Sequence, residues 1–219
     1  MLPKWFCLLL LTAALLISAV AADDSETDPI LDFYWKRAAE TFKSRDPIGG
    51  GVTYSMTVKT LHKQFNRHGR PEKTDSSVVD YFFSFGQLDS AINQIEPTSD
   101  RATQDLDFPN IFLSGYDRNF FPNDTGGTGI AIGFDSYTAA DDRPVGLALI
   151  DRKAYYLQWL YLHFPNKSNY RHFSRSFRFV EHEGYIFPDS IWEVGDKQAF
   201  FSTGHYRRES SISNIRIHR

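Results

Sequence analysis

The spacing of apolar positions changes along this chain, and the changes mark its elements. From Pro29 to Asp46 the apolar residues recur at helical spacing, with Leu31, Tyr34, Trp35, Ala38 and Phe42 on one stripe. Asp28 ahead of Pro29 offers an N-cap carboxylate and a first-turn proline, and Lys43 to Asp46 breaks the stripe. One amphipathic helix is predicted. After Pro47 and Gly49-Gly50-Gly51 the period falls to two: Val52, Tyr54, Met56 and Val58 alternate with Thr53, Ser55, Thr57 and Lys59, and the pattern runs on to Phe65. Asn66 to Arg70 is a polar connection containing Gly69, and Ser76 to Phe85 returns as a second strand, so a long hairpin is expected. Leu88 to Ile95 adds a short third strand before Pro97.

Residues 96–127 lose the alternation but not the apolar content. Pro97, Pro109 and Pro122 punctuate a stretch that also holds Phe108, Ile111, Phe112, Leu113, Tyr116, Phe120 and Phe121. A connection this long and apolar reads as an irregular insert, either covering one end of the core or acting as a lid. Strand pattern resumes at Gly129 to Phe134 and at Gly146 to Ile150, on either side of the polar loop Thr138 to Pro144. Asp151-Arg152-Lys153 turns the chain into Ala154 to Phe164, which is apolar at both parities and predicts a strand covered on both faces. Phe200 to Ile217 supplies a final strand or pair. The fold class expected is mainly β: one N-terminal helix with an antiparallel sheet of about nine to eleven strands.

Arg171 to Val194 gives the most specific expectation. Glu183-Gly184 suits a two-residue turn, because Gly accepts positive φ without penalty. With that turn Phe179 faces Pro188, Phe177 faces Ser190, Arg175 faces Trp192 and Phe173 faces Val194 on one side of the sheet. The other side pairs Val180 with Phe187, Arg178 with Asp189 and Ser176 with Ile191. Sliding by one residue loses both the Arg-Asp pair and the aromatic face. Arg175 on an aromatic face needs a partner; stacking on the Trp192 indole provides one, and an acidic ligand group is the alternative.

Lys4, the apolar run Leu8 to Val20 and the small residues Ala19-Val20-Ala21 read as a signal peptide over 1–21, followed by a single domain over 28–219. The only cysteine, Cys7, lies inside that leader, so the 198 residues after Ala21 carry none. Export without disulfides fits a bacterial envelope, either periplasmic or secreted and soluble. The sequons at Asn123 and Asn166 matter only in a eukaryotic host. Net charge is −3 with signs interspersed, which gives no basic field for nucleic acid. Aromatic residues make up 16%, including 19 Phe and 11 Tyr, a content that suits both strands and apolar pockets.

Catalytic patterns are weak. Asp124-Thr125-Gly126 is the tripeptide of aspartic proteases, but it occurs once, and the mechanism needs two carboxylates sharing a proton; a Gly-rich turn explains it better. The seven histidines show no metal-ligand spacing, and Glu181-His182-Glu183 reads as a solvated hairpin tip. There is no Gly-x-Ser-x-Gly elbow and no cysteine nucleophile after the leader. The chain is read as no enzyme, with no metal and no cofactor; a hydrolase assembled in space is the lowest-ranked alternative.

The order of parts, with Phe177-Arg178-Phe179 and then Glu183-Gly184-Tyr185-Ile186-Phe187-Pro188, resembles the periplasmic lipoprotein-carrier superfamily, the LolA-like and LolB-like proteins and their outer-membrane lipoprotein-sorting relatives. The resemblance implies a strongly curved, incomplete β-barrel whose concave apolar face is covered by helices and holds acyl chains or lipidated proteins. Carried onto this sequence, Phe173, Arg175, Phe177, Phe179 and Trp192 become candidates for the cavity wall. Leu31, Trp35, Phe42, Phe108, Phe112, Phe120 and Phe121 become candidates for the cover. The expected function is a non-catalytic envelope protein binding an apolar or lipid ligand or a lipidated protein. The alternative is a structural or interaction module with a filled core and an envelope protein as partner.

Overall fold

The computed structural model describes residues 28–66, 68–95, 111–112, 116–120, 127–136, 143–199 and 202–219. The expected leader lies outside the described residues, as do Phe108, Phe121 and Asp124-Thr125-Gly126. Helix α1 spans Pro29–Arg45, and the Asp28 carboxylate accepts the Ile30 N–H at 2.8 Å, as the N-cap reading predicts. Leu31, Trp35 and Ala38 are buried along its stripe and Phe42 is half-buried. The chain leaves the helix through Asp46, whose carboxylate takes the N–H groups of Ile48 and Gly49.

Ten strands follow: β1 Thr53–Phe65, β2 Pro71–Ser84, β3 Gln87–Ile95, β4 Tyr116–Phe120, β5 Gly129–Ser136, β6 Val145–Asp151, β7 Leu157–His163, β8 Tyr170–His182, β9 Tyr185–Ala199 and β10 Ser202–His218. They form one antiparallel sheet in the order β3-β2-β1-β10-β9-β8-β7-β6-β5-β4. Apart from the insertion of β10 between β1 and β9, every neighbour in space is a neighbour in sequence. Strands β3 and β4 are its edges, and among the described residues no ladder joins them, so the curved sheet is an incomplete barrel with an N-terminal helix.

Three expectations need correction. The stretch read as an irregular insert contains β4, which pairs with β5 from Tyr116 opposite Ser136 to Phe120 opposite Ile132. Its five residues, YDRNF, are too few and too polar to show alternation. The strand expected from Ala154 begins at Leu157, because Tyr155 has φ 56° and interrupts the extended chain. Its faces are not equally covered: Leu160 and Leu162 are fully buried, whereas Tyr161 is 36% exposed.

The third correction concerns the central hairpin. Glu183 and Gly184 have φ 48° and 86°, the pair of positive values a two-residue turn of the primed kind requires, and His182 to Phe179 pair with Tyr185 to Pro188 as expected. The register then shifts by one, with Arg178 opposite Ser190 and Asp189 left as an extra residue. Pro188 has no N–H to give the ladder, and a bulge beside it accommodates that gap. Beyond the bulge Phe177 faces Ile191, Ser176 faces Trp192, Arg175 faces Glu193, Ser174 faces Val194 and Phe173 faces Gly195. Arg178 keeps Asp189 as its partner diagonally, through Nε and Nη2 at 2.6 to 2.9 Å.

Candidate functional site: the inner face of the sheet

Strand alternation and the register define which side chains share the inner face. Phe173, Arg175, Phe177 and Phe179 lie on it, with Ile191 and Glu193 from β9 and Tyr54, Met56 and Val58 from β1. Trp192 does not. The bulge at Asp189 reverses the parity of the rest of β9, so Trp192 points outward and stacks on Trp159 at 4.9 Å between ring centroids. The proposed stacking of Arg175 on Trp192 is therefore wrong; the guanidinium lies 5.0 Å from the Phe177 ring centroid.

Helix α1 packs against this face near β4 and β5. Trp35 meets Phe112 at 5.2 Å and Phe134 at 5.7 Å, and Phe42 meets Phe112 at 5.8 Å. Arg118 from β4 pairs with Asp32 at 2.8 Å, and Arg45 at the other end of the helix pairs with Glu181 near the hairpin tip. Glu183 of the same tip pairs with Arg219, so the carboxylates there are held by arginines. The Lys36 hydrogen bond, with help from Arg118, holds the Asp32 carboxyl below its ordinary range against the opposing effect of burial. Of the expected cover residues, Leu31, Trp35, Phe42 and Phe112 come together; Phe120 sits on β4 opposite Ile132. The wall beneath is closed: Phe177 is 0% exposed, and Phe173 and Phe179 are buried.

Crossing the same face is a row of ionisable residues of which sequence reasoning had found only Arg175. Asp75 on β2, His62 on β1, Arg208 on β10, Glu193 on β9 and Arg175 on β8 stand directly opposite one another in successive ladders. The row continues through Leu162, Gly146 and Phe134. From Arg208 through Glu193 to Arg175 the signs alternate, and the row is dry: Glu193 is 4% and Arg175 6% exposed. Glu193 receives Arg208 Nη1 at 3.2 Å and Arg175 Nε at 3.5 Å, and it accepts the Tyr206 hydroxyl at 2.9 Å. Tyr206 also lies 3.4 Å from the Tyr170 hydroxyl and 5.3 Å, ring to ring, from His62. Burial first, and the neighbouring Glu193 carboxylate second, raise the Tyr206 pKa far above the ordinary phenol range. One residue pair along the strands, Ser77, Thr60 and Ser210 form a parallel polar row, with Thr60 and Ser210 hydroxyls 2.9 Å apart. The inner face thus has an apolar field and a polar belt.

A signal for the belt did exist. His62 continues the inward parity of Tyr54, Met56, Val58 and Thr60, so a polar side chain at that step is an inward polar side chain. Among the described residues no three His, Cys, Asp or Glu side chains are grouped to hold a metal ion. Within the belt Glu193 is paired with Arg175 and Arg208, and the Thr60 hydroxyl with that of Ser210.

An open, curved antiparallel sheet with a helix on its concave side defines the fold class. No protein-family model and no curated protein matches the chain. Among solved structures it is similar to a LolA superfamily protein from Nitrosomonas europaea, at 9% identity and a TM-score of 0.37 over 86% of this chain and 94% of that one. It is similar also to a putative outer membrane lipoprotein-sorting protein domain from Vibrio parahaemolyticus, at 11% identity and a TM-score of 0.42 over 84% and 91%. A Pseudomonas aeruginosa MucA/MucB complex matches at 8% identity and a TM-score of 0.27 over 85% and 98%. The first two are of the kind whose layout the sequence resembles. Overlaps this loose carry no functional argument, and the roles below rest on the residues.

Proposed function

We propose that the chain is an exported, non-catalytic binding protein of the cell envelope that holds an apolar or lipid chain, such as a lipoprotein's acyl chain, against the inner face of its sheet. The observation that supports this reading is the breadth of the apolar wall relative to α1. Ten strands spaced by about 4.8 Å make an arc of roughly 45 Å. A helix of 17 residues is about 25 Å long and roughly 10 Å across. It buries only Leu31, Trp35 and Ala38. A ligand reaches the closed wall by displacing its cover, replacing one apolar contact with another.

The test is native mass spectrometry of protein purified without detergent, followed by titration with a dansylated fatty acid. Retention or uptake of about one acyl ligand, faster in a Trp35→Ala variant with a loosened cover, supports the proposal. No retained lipid and no uptake by either protein overturns it.

A second reading, a protein-interaction module with a permanently filled core, is favoured by β3. Every residue of this edge strand is exposed, including Leu88, Ile92 and Ile95, and it carries neither Lys nor Pro to discourage pairing. Crosslinked partners recovered with the native chain and lost with Ile92→Lys, in protein that takes up no acyl probe, would favour this reading.

A further inference from the structure

A cleft of about 360 Å³ opens at the rim of the sheet where the turn after β1, the start of β8 and the β9 and β10 strands meet. Its walls include Asn66, Arg171, Asp196, Lys197, Gln198 and His205. Two of these side chains are fixed cations. Among the described lining residues the one carboxylate, Asp196, is engaged by the His205 ring. Lys197 is held in place, its ammonium 5.6 Å from the Tyr170 ring centroid and 5.9 Å from that of Tyr206. Tyr206 is the residue that donates to buried Glu193, so the cleft is anchored to the belt beneath it. The backbone there is fixed as well, because Gln198 N–H donates to the Asn169 carbonyl at 2.9 Å.

We infer that this rim cleft binds a phosphate group, with Arg171 and Lys197 supplying the charge and Gln198 and Asn66 the surrounding amides. Its size admits a phosphorylated sugar or a single lipid headgroup, and a guanidinium with an ammonium is the pairing that recognises such oxyanions. The inference does not depend on the apolar-ligand reading, since none of the cleft's lining residues belongs to the apolar wall or to its cover.

The experiment uses the whole chain after its leader. Inorganic phosphate is titrated while the backbone amide resonances of Lys197, Gln198 and Gly204 are followed. In parallel, binding to phosphatidylglycerol vesicles is compared with binding to phosphatidylcholine vesicles. Saturable shifts with phosphate alone identify a free phosphate as the source; binding only to phosphatidylglycerol identifies a headgroup. In either arm the Arg171→Gln, Lys197→Gln double variant, folded by circular dichroism, is expected to bind at least about ten-fold more weakly. Absence of both responses, or equal affinity in the double variant, overturns the inference. Because the acyl titration reads the inner wall and this one reads the rim, either can fail without the other.

Discussion

Replacing Glu193 by Gln tests whether the belt is as dry as its burial implies. The amide keeps the shape and can still accept from Tyr206, so what is lost is the charge between two guanidinium groups. Arg175 and Arg208 have side chains only 6% and 14% exposed, and Glu193 lies within 3.5 Å of both. Removing one partner of a buried ion pair costs about 3 to 5 kcal/mol, because the remaining charge is left without compensation. For a chain of this size a loss of about 4 kcal/mol lowers the melting midpoint by roughly 8 to 16 °C. The comparison is Asp189→Asn, which breaks the pair with Arg178, whose side chain is 53% exposed. That change is expected to cost no more than about 1 kcal/mol. Urea unfolding followed by tryptophan fluorescence and circular dichroism measures both. Adding Arg208→Met to Glu193→Gln should recover part of the loss, with a coupling of about 1 to 3 kcal/mol. If Glu193→Gln proves no more costly than Asp189→Asn, water reaches the belt and the argument from burial fails.

Other substitutions separate the cover from the wall. Trp35→Ala removes the side chain that α1 lays between Phe112 and Phe134 and is expected to cost about 3 to 5 kcal/mol, with increased binding of an apolar dye before global unfolding. Gly195→Ala places a methyl 2.4 Å from the Tyr206 ring, which must move off Glu193 at a cost of about 1 to 3 kcal/mol; Gly204→Ala, whose methyl meets nothing closer than 3.9 Å, should change stability by under about 0.5 kcal/mol. Ultraviolet titration should find Tyr54, Tyr81 and Tyr206 protonated at pH values where exposed tyrosines ionise, since burial raises all three. Their folded-state pKa lies above that of the unfolded chain, so the native state holds protons the unfolded state has released. Their contribution is complete below about pH 10 and is lost as pH rises above it, and stability measured against pH must fall on the alkaline side.

Local chemistry made much of the fold legible. Asp28-Pro29 marked the helix start because the cap and the missing proline N–H act within one turn, and Gly184 marked the turn because glycine takes positive φ without steric cost. The bulge was harder. Residue types on either side of Asp189 suit both registers, and only the proline before it gave notice of an interrupted ladder. That single extra residue carried Trp192 to the outer face and replaced it with Glu193 as the partner of Arg175. The belt was hidden for another reason: its members sit at 62, 75, 175, 193 and 208, and the long return of β10 to lie between β1 and β9 is what brings them into one row. Strand β4 was missed because its five residues, YDRNF, are too few to show a period.

The belt and the cover answer different physical needs. Parity alone forbids a slip of one residue between strands, since that would turn every inward side chain outward, but a slip of two keeps the apolar pattern almost intact. Across β9 and β10 such a slip would set Arg208 against Ile191 or Gly195 and leave Glu193 facing Ser210 or Tyr206. The alternating charges therefore distinguish registers that apolar residues leave nearly degenerate. All five residues belong to the sheet, so the row would keep its place if the cover lifted as the proposed function requires. Such opening would expose the apolar field at about 25 cal/mol for each Å². It would also rehydrate charges whose burial was costly, and that gain would offset part of the loss. If the concave face changes occupants as proposed, a polar belt across an otherwise apolar wall helps the sheet keep its curvature on both counts.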